Sequence, residues 1–126
     1  MPVDQYENNF TRIADELGRK ANLVVHKTVA RIHAEADASF AKVKHGALYH
    51  GHRASAPGEA PAIDTGNLLN SGYHKMTGPT EGEVGFGAEY AVYLEMGSVR
   101  MAPRPFLGPA VERVWPEFVK AMEQIP

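Results

Sequence analysis

The sequence predicts an α+β fold: a long N-terminal helix, a small antiparallel β-sheet and a C-terminal helix packed on the sheet. Three observations predict it. Apolar residues recur at steps of three and four from Val3 to Phe40. A stretch with strand character and a Gly-Pro turn at its middle occupies residues 72–87. A second three-and-four stripe runs from Ala110 to Met122. At 126 residues the chain is expected to form one domain, large enough to bury roughly two-thirds of its unfolded surface.

The first stripe passes through Val3, Tyr6, Phe10, Ile13, Leu17, Ala21, Val24 or Val25, Val29, Ile32, Ala36 and Phe40, which is one face of a helix over 3–40. Asp4 and Glu7 suit its first turns and no proline interrupts it. Such a helix would be roughly 55 Å long, whereas a compact domain of this size is about 30 Å across. It must therefore project, break near Gly18, or pack on another subunit, which marks Val3, Tyr6, Phe10 and Ile13 as candidate interface residues. Residues 44–63 then change character: glycines and prolines mark an extended loop, a length that is usually functional, or disordered when free.

The β-rich core is expected over 65–107. Asp64 or Thr65 can cap a short turn that carries Leu68 and Leu69 inward. Tyr73 to Thr77 and Glu83 to Gly87 read as a hairpin around a turn through Gly78-Pro79-Thr80-Glu81-Gly82. Val84 and Phe86 share one face of the return strand. Tyr90, Tyr93 or Leu94, and Gly97 follow at helical spacing, with Gly97 placed as a stop. The C-terminal helix spans 108–124, with Pro109 in its first turn and Pro116 expected to kink it.

Composition narrows the function classes. A formal net charge of −2 gives no global drive toward nucleic acid or membranes. The chain has no cysteine, so it has no disulfide framework and no thiolate chemistry. No apolar run approaches the roughly 20 residues that span a bilayer, and the first residues lack signal-peptide character; a soluble protein made inside a cell is expected, with no membrane partner.

Candidate chemistry is sparse. His45, His50 and His52 are the only cluster resembling a metal site, but their spacing matches no helix face and no short ligand motif. No metal or other cofactor is expected. Between Ala38 and Gly58 there is no acid, while Lys42, Lys44, Arg53 and the three histidines are present. That loop could lie against DNA phosphates or against an acidic surface of a neighbouring subunit. Residues 76–99 supply such a surface, with Glu81, Glu83, Glu89 and Glu95 and no lysine or arginine. The serines lack a nucleophile elbow, so an enzyme is not expected.

The most specific signal is a series of three blocks. They are Thr65-Gly66-Asn67-Leu68-Leu69, then Tyr90-Ala91-Val92-Tyr93-Leu94-Glu95-Met96-Gly97-Ser98, then Ala102-Pro103-Arg104-Pro105-Phe106-Leu107-Gly108-Pro109-Ala110. In this order and spacing the chain resembles the tail-component family of long-tailed bacteriophages, the neck or tail-completion proteins that help join the filled head to the tail. The family pattern is a TGNLR-like start, a YAxYxExGT-like middle and a PARPFLxPA-like finish. Leu69 departs from it where a basic residue is common, and Val99-Arg100-Met101 is an unusual bridge. The resemblance covers roughly the C-terminal half.

It implies a structural virion protein assembled in the host cytoplasm. Its place would be a homo-oligomeric ring, six-fold by family, between a head-closure (stopper) ring and a tail-terminator ring, with genomic DNA passing through. Head closure or tail termination are alternative places in the same neck; a metal-dependent enzyme on the histidines and a DNA-binding module on the basic loop are readings from other classes. The residues carried over are Thr65, Gly66, Leu68, Tyr90, Tyr93, Glu95, Gly97, Arg104, Pro105 and Phe106. Physically, Gly66 and Gly97 suit turns, and Tyr90 and Tyr93 suit an interface rim. Glu95 can accept backbone amides or pair with Arg104. Pro103 and Pro105 hold the chain extended so that Phe106 enters the core.

Overall fold

The computed structural model describes residues 3–42, 44–46, 48–49, 52–61, 66–99 and 101–125. For residues 3–10, Tyr49 and His52 it describes the backbone alone. The architecture is α+β. Helix α1 spans Val3–Phe40 without a break, so Gly18 does not interrupt it. Two short strands follow, β1 (Leu48–Tyr49) and β2 (His52–Arg53), which pair antiparallel; the expected featureless loop thus carries a minimal hairpin. Next come a single turn of helix, α2 (Asn67–Asn70), and the main hairpin of β3 (Gly72–Gly78) and β4 (Glu81–Phe86). Helices α3 (Ala91–Met96) and α4 (Leu107–Glu123) complete the chain.

The β3–β4 turn is tighter than the sequence reading. Gly78 pairs with Glu81, which leaves Pro79-Thr80 as the turn. A register shift between Met76 and Gly78 absorbs the extra residue, as a bulge does near the end of a hairpin. Asn22 of α1 donates from Nδ2 to the Pro79 carbonyl at 2.6 Å, tying the hairpin tip to the helix. Farther along, the His33 and His74 rings meet Nδ1 to Nδ1 at 2.8 Å.

α1 is the helix that covers the sheet; α4 lies along α1. The two helices run antiparallel, since Arg31 meets Glu117 and Glu35 meets Arg113. Their buried apolar residues are Val29, Ala36 and Phe40 on α1 and Ala110 and Val114 on α4. α4 reaches the sheet at its entrance, where Phe106 lies 5.0 Å from the Phe86 ring centroid and 5.4 Å from Phe40. Phe40 and Phe86 are 5.7 Å apart. The three rings form the centre of the core, joined by Ala91 and packed against Leu68, Leu69 and Leu94. Such tilted and edge-on contacts add to the area they bury.

α4 continues through Pro116 as one helix. Pro116 and Glu112, whose carbonyl loses its amide partner, are both exposed, so water can satisfy the orphaned acceptor. Among the described residues no helix is long and apolar enough to cross a membrane.

Candidate functional site

The three sequence blocks fold into one joint. Gly66 takes a left-handed conformation, φ 82°, as N-cap of α2, and Leu68 packs on the core from there. Thr65 lies outside the described residues. α3 starts after Tyr90 and stops at Gly97, whose φ of 80° and whose amide bond to the Tyr93 carbonyl (2.8 Å) turn the chain out of the helix. A Cβ at Gly97 would approach Pro103 Cδ to 2.9 Å, so both backbone angle and space favour glycine there.

Glu95 is the keystone. Its Oε1 accepts from the amides of Phe106 at 3.1 Å and Leu107 at 2.8 Å, and its Oε2 from Gly108 at 3.1 Å. Those are the first amides of α4, which have no acceptor within their own helix. A carboxylate at that end also opposes the positive pole of the helix dipole. α3 therefore holds the start of α4 through one side chain. The expected alternative partner, Arg104, forms no ion pair with Glu95 among the described residues. Arg104 instead donates its amide to the Leu94 carbonyl at 2.6 Å and its Nε to the Ser55 carbonyl at 3.3 Å. Pro105 is half-buried, and Phe106 is 2% exposed.

The 44–61 loop is tied to this joint. Gly58 donates its amide to the Pro103 carbonyl at 2.9 Å, and Arg53 Nη1 donates to Gly46 O at 3.0 Å. Glu59 Oε1 accepts the amides of His45 and Ala56, each at 2.8 Å, and Oε2 lies 2.6 Å from His45 Nδ1. The Ala56 amide, then His45, holds the Glu59 carboxyl well below the usual range, at about 2. Lys44 is no surface charge: it is buried and donates Nζ to the Ser39 carbonyl at the end of α1, 2.6 Å away. Burial pushes its ammonium pKa down. Lys42 and Arg53 are exposed. His50 lies outside the described residues, as does the His52 side chain. Among the described residues no three metal-ligating side chains converge.

Among the described residues, two of the apolar surfaces that remain open involve the family-like blocks and the free end of α1. Along α3 and the turn after it, Tyr90, Val92, Tyr93, Met96 and Val99 are all exposed, Met96 by 74%. At the other end, α1 outruns both of its neighbours, and Ile13 is 50% exposed; the side chains of Val3, Tyr6 and Phe10 lie outside the described set. Sequence reasoning missed Glu59 and the Glu35 pairs with Arg31 and Arg113 (3.2 and 3.1 Å), and it put Lys44 on an open basic loop instead of against the end of α1. Arg31, then Arg113, lowers the Glu35 pKa. The i,i+4 spacing of Arg31 and Glu35 was a usable signal, and a lysine just past a helix end suits its unpaired carbonyls.

Comparison of the chain with protein-family models, with curated proteins and with solved structures gave no match.

Proposed function

We propose that this chain is a structural subunit of a tailed-phage neck, a tail-completion ring component that joins the head to the tail around the DNA channel. The observation that carries the proposal is the convergence of the three family-like blocks on one joint with an exposed apolar rim. Glu95, Gly97, Arg104 and Phe106 serve the joint itself, whereas Tyr90, Val92, Tyr93, Met96 and Val99 point away from the core. Clustered exposed apolar side chains of this kind are typical of contact surfaces. Subunits of a ring need two unlike surfaces, so that each copy binds the next head to tail. The α3 rim and the projecting end of α1 supply two such surfaces at different places on the fold. Exposed Lys42 and Arg53 lie on the loop fixed to the joint, where they can face DNA or a neighbouring copy.

The test is a nonsense codon in the coding sequence within the phage genome that carries it, with complementation from a plasmid. The expected outcome is filled heads and separate tails in the mutant lysate, and joined infectious particles on complementation. Quantitative peptide mass spectrometry of purified particles should then place the chain in the virion at ring stoichiometry. Normal yields of joined particles lacking the chain would overturn the proposal.

A further inference from the structure

The outer part of the N-terminal third of α1 and the cleft beside its middle are both partly apolar and carry opposite charge. The hairpin tip stops at Asn22, where Pro79 is bonded. α4 ends near the same level, with Gln124 lining a cleft that also includes Leu23. Residues 3–22 of α1 therefore run on past both neighbours by roughly 30 Å. The apolar stripe continues over this stretch with Ile13 and Leu17. The outer part of this stretch, residues 3–16, carries four acids, Asp4, Glu7, Asp15 and Glu16, against one base, Arg12, and Arg19 and Lys20 lie where it joins the body.

The cleft between α1 and α4 has a volume of about 610 Å³. Val24, Val114 and Ala121 supply its apolar floor, and its charged lining is Lys27, Lys120 and Arg31, the last paired with the one acid, Glu117. Leu23 is 67% exposed, although it is a large aliphatic residue at the mouth of an apolar cleft. An acidic helix with an apolar stripe fits an apolar floor with a basic rim. Gly18 adds a separate observation. It lies inside the helix, where glycine weakens the structure relative to alanine, yet a Cβ there would meet nothing within 4 Å. Nothing among the described residues requires it to be small, whereas the close approach of another backbone would.

We propose that the projecting segment of α1 from a second copy of this chain docks into the cleft between α1 and α4. The proposal deepens the ring-subunit reading, on which its place in the particle rests, by naming one contact between copies. The segment lies along the cleft with Ile13 and Leu17 on the apolar floor and its acids beside Lys27 and Lys120. Gly18 lets the two helices cross closely.

The chain has no cysteine, so introduced pairs report proximity without background. Full-length Ile13→Cys is mixed with full-length Ala121→Cys under mild oxidation at the highest soluble concentration, with Ile13→Cys plus Thr77→Cys as control. Circular dichroism checks that every variant is folded. A mixed disulfide at twice the chain mass that forms severalfold faster than in the control is expected, because bridging needs the two Cα atoms within about 7 Å. Gly18→Leu should raise helix content and yet suppress this cross-link; a glycine with no contact role would give only the first effect. Lys27→Glu with Lys120→Glu should suppress it too, and Asp15→Lys with Glu16→Lys on the other copy should restore it. Equal yields from the Ala121→Cys and Thr77→Cys mixtures would overturn the proposal. If there is no cross-link in particles that still need the chain to join head and tail, docking alone fails. A strong cross-link in a chain that particles lack removes the ring-subunit reading alone.

Discussion

The joint at residues 90–108 and the first twenty residues of α1 are built on opposite terms. In the joint, exposed and buried side chains have separate duties: Glu95 satisfies three amides, Phe106 fills the ring cluster, and Gly97 turns the chain where a side chain would collide with Pro103. In the projecting helix, the described residues from Thr11 to Glu16 are all exposed, Ile13 of the apolar stripe among them. The joint is stabilised by what it touches. The projecting helix keeps an apolar pattern that, in the proposed assembly, would meet another copy of the chain. The contrast separates residues that make the fold from residues available for assembly, and it can be broken by substitutions on either side.

The largest expected effect is at the centre of the joint. Phe106→Ala removes a ring that is 2% exposed and meets Phe40 at a tilt and Phe86 edge-on. The cost should be about 3–5 kcal/mol, a large part of the stability of a small domain. Urea unfolding of wild type and variant measures it. A loss below about 1 kcal/mol would mean that the cluster closes over the gap and is not the keystone of the core.

Glu95→Ala comes next. It leaves the amides of Phe106, Leu107 and Gly108 without their acceptor, and capping losses of this kind cost about 1–2 kcal/mol. Glu95→Gln keeps one acceptor oxygen and should fall between wild type and Ala. Hydrogen exchange should show faster opening at the start of α4 than in β3 and β4 for both variants. Uniform acceleration across the chain would assign Glu95 to global packing instead.

Much of this was legible in the sequence, and the rest was not for identifiable reasons. The α1 stripe predicted one unbroken helix running to Phe40, with no proline or capping break to stop it sooner. Phe106 and Leu107 were legible because Pro103 and Pro105 fix the chain before them. The covering of the sheet was not legible, since a stripe says that a face is buried and not what buries it; the partner of α4 is chiefly α1, through Val114 and Ala110. The acid-free run from Ala38 to Gly58 drew attention to a basic loop, but the residue that organises it, Glu59, is the first one beyond that run. Lys44 looked like part of a charged surface because local sequence does not show that the chain folds back on the end of α1.

Glu59 offers a smaller effect with a defined pH sign. Its carboxyl is held at about 2 in the folded protein against an ordinary 4.5. The lowered value means that its contribution is fully present above pH 4.5 and is lost as pH falls toward 2. Glu59→Gln should therefore remove part of the acid dependence of stability in that window while changing little of its shape near neutrality. Midpoints of thermal melts at several pH values measure this. An unchanged acid slope in the variant would show that the His45 and Ala56 amides do not hold the carboxylate in solution.

The smallest expected change in stability lies at the other pole of the comparison. Deleting residues 2–16 takes away a stretch whose described side chains, from Thr11 to Glu16, are exposed. Nothing in the ring cluster or the α1–α4 contact depends on it, since the hairpin tip and the end of α4 meet α1 from Asn22 onward. The unfolding free energy of the remaining chain should change by no more than about 0.5 kcal/mol, as for substitutions away from packed features. Helix content should fall in proportion to the residues removed, without a shift in the cooperative transition. The same deletion should abolish association through the α1–α4 cleft and the joining of heads to tails. If the truncated chain instead melts early, the projecting helix belongs to the body, and the division between folding and assembly residues does not hold at this end. If it melts normally and particles still form, the apolar stripe over residues 3–17 serves neither purpose, and the α3 rim of Tyr93, Met96 and Val99 becomes the only apolar surface among those considered that is left to carry the contact between copies.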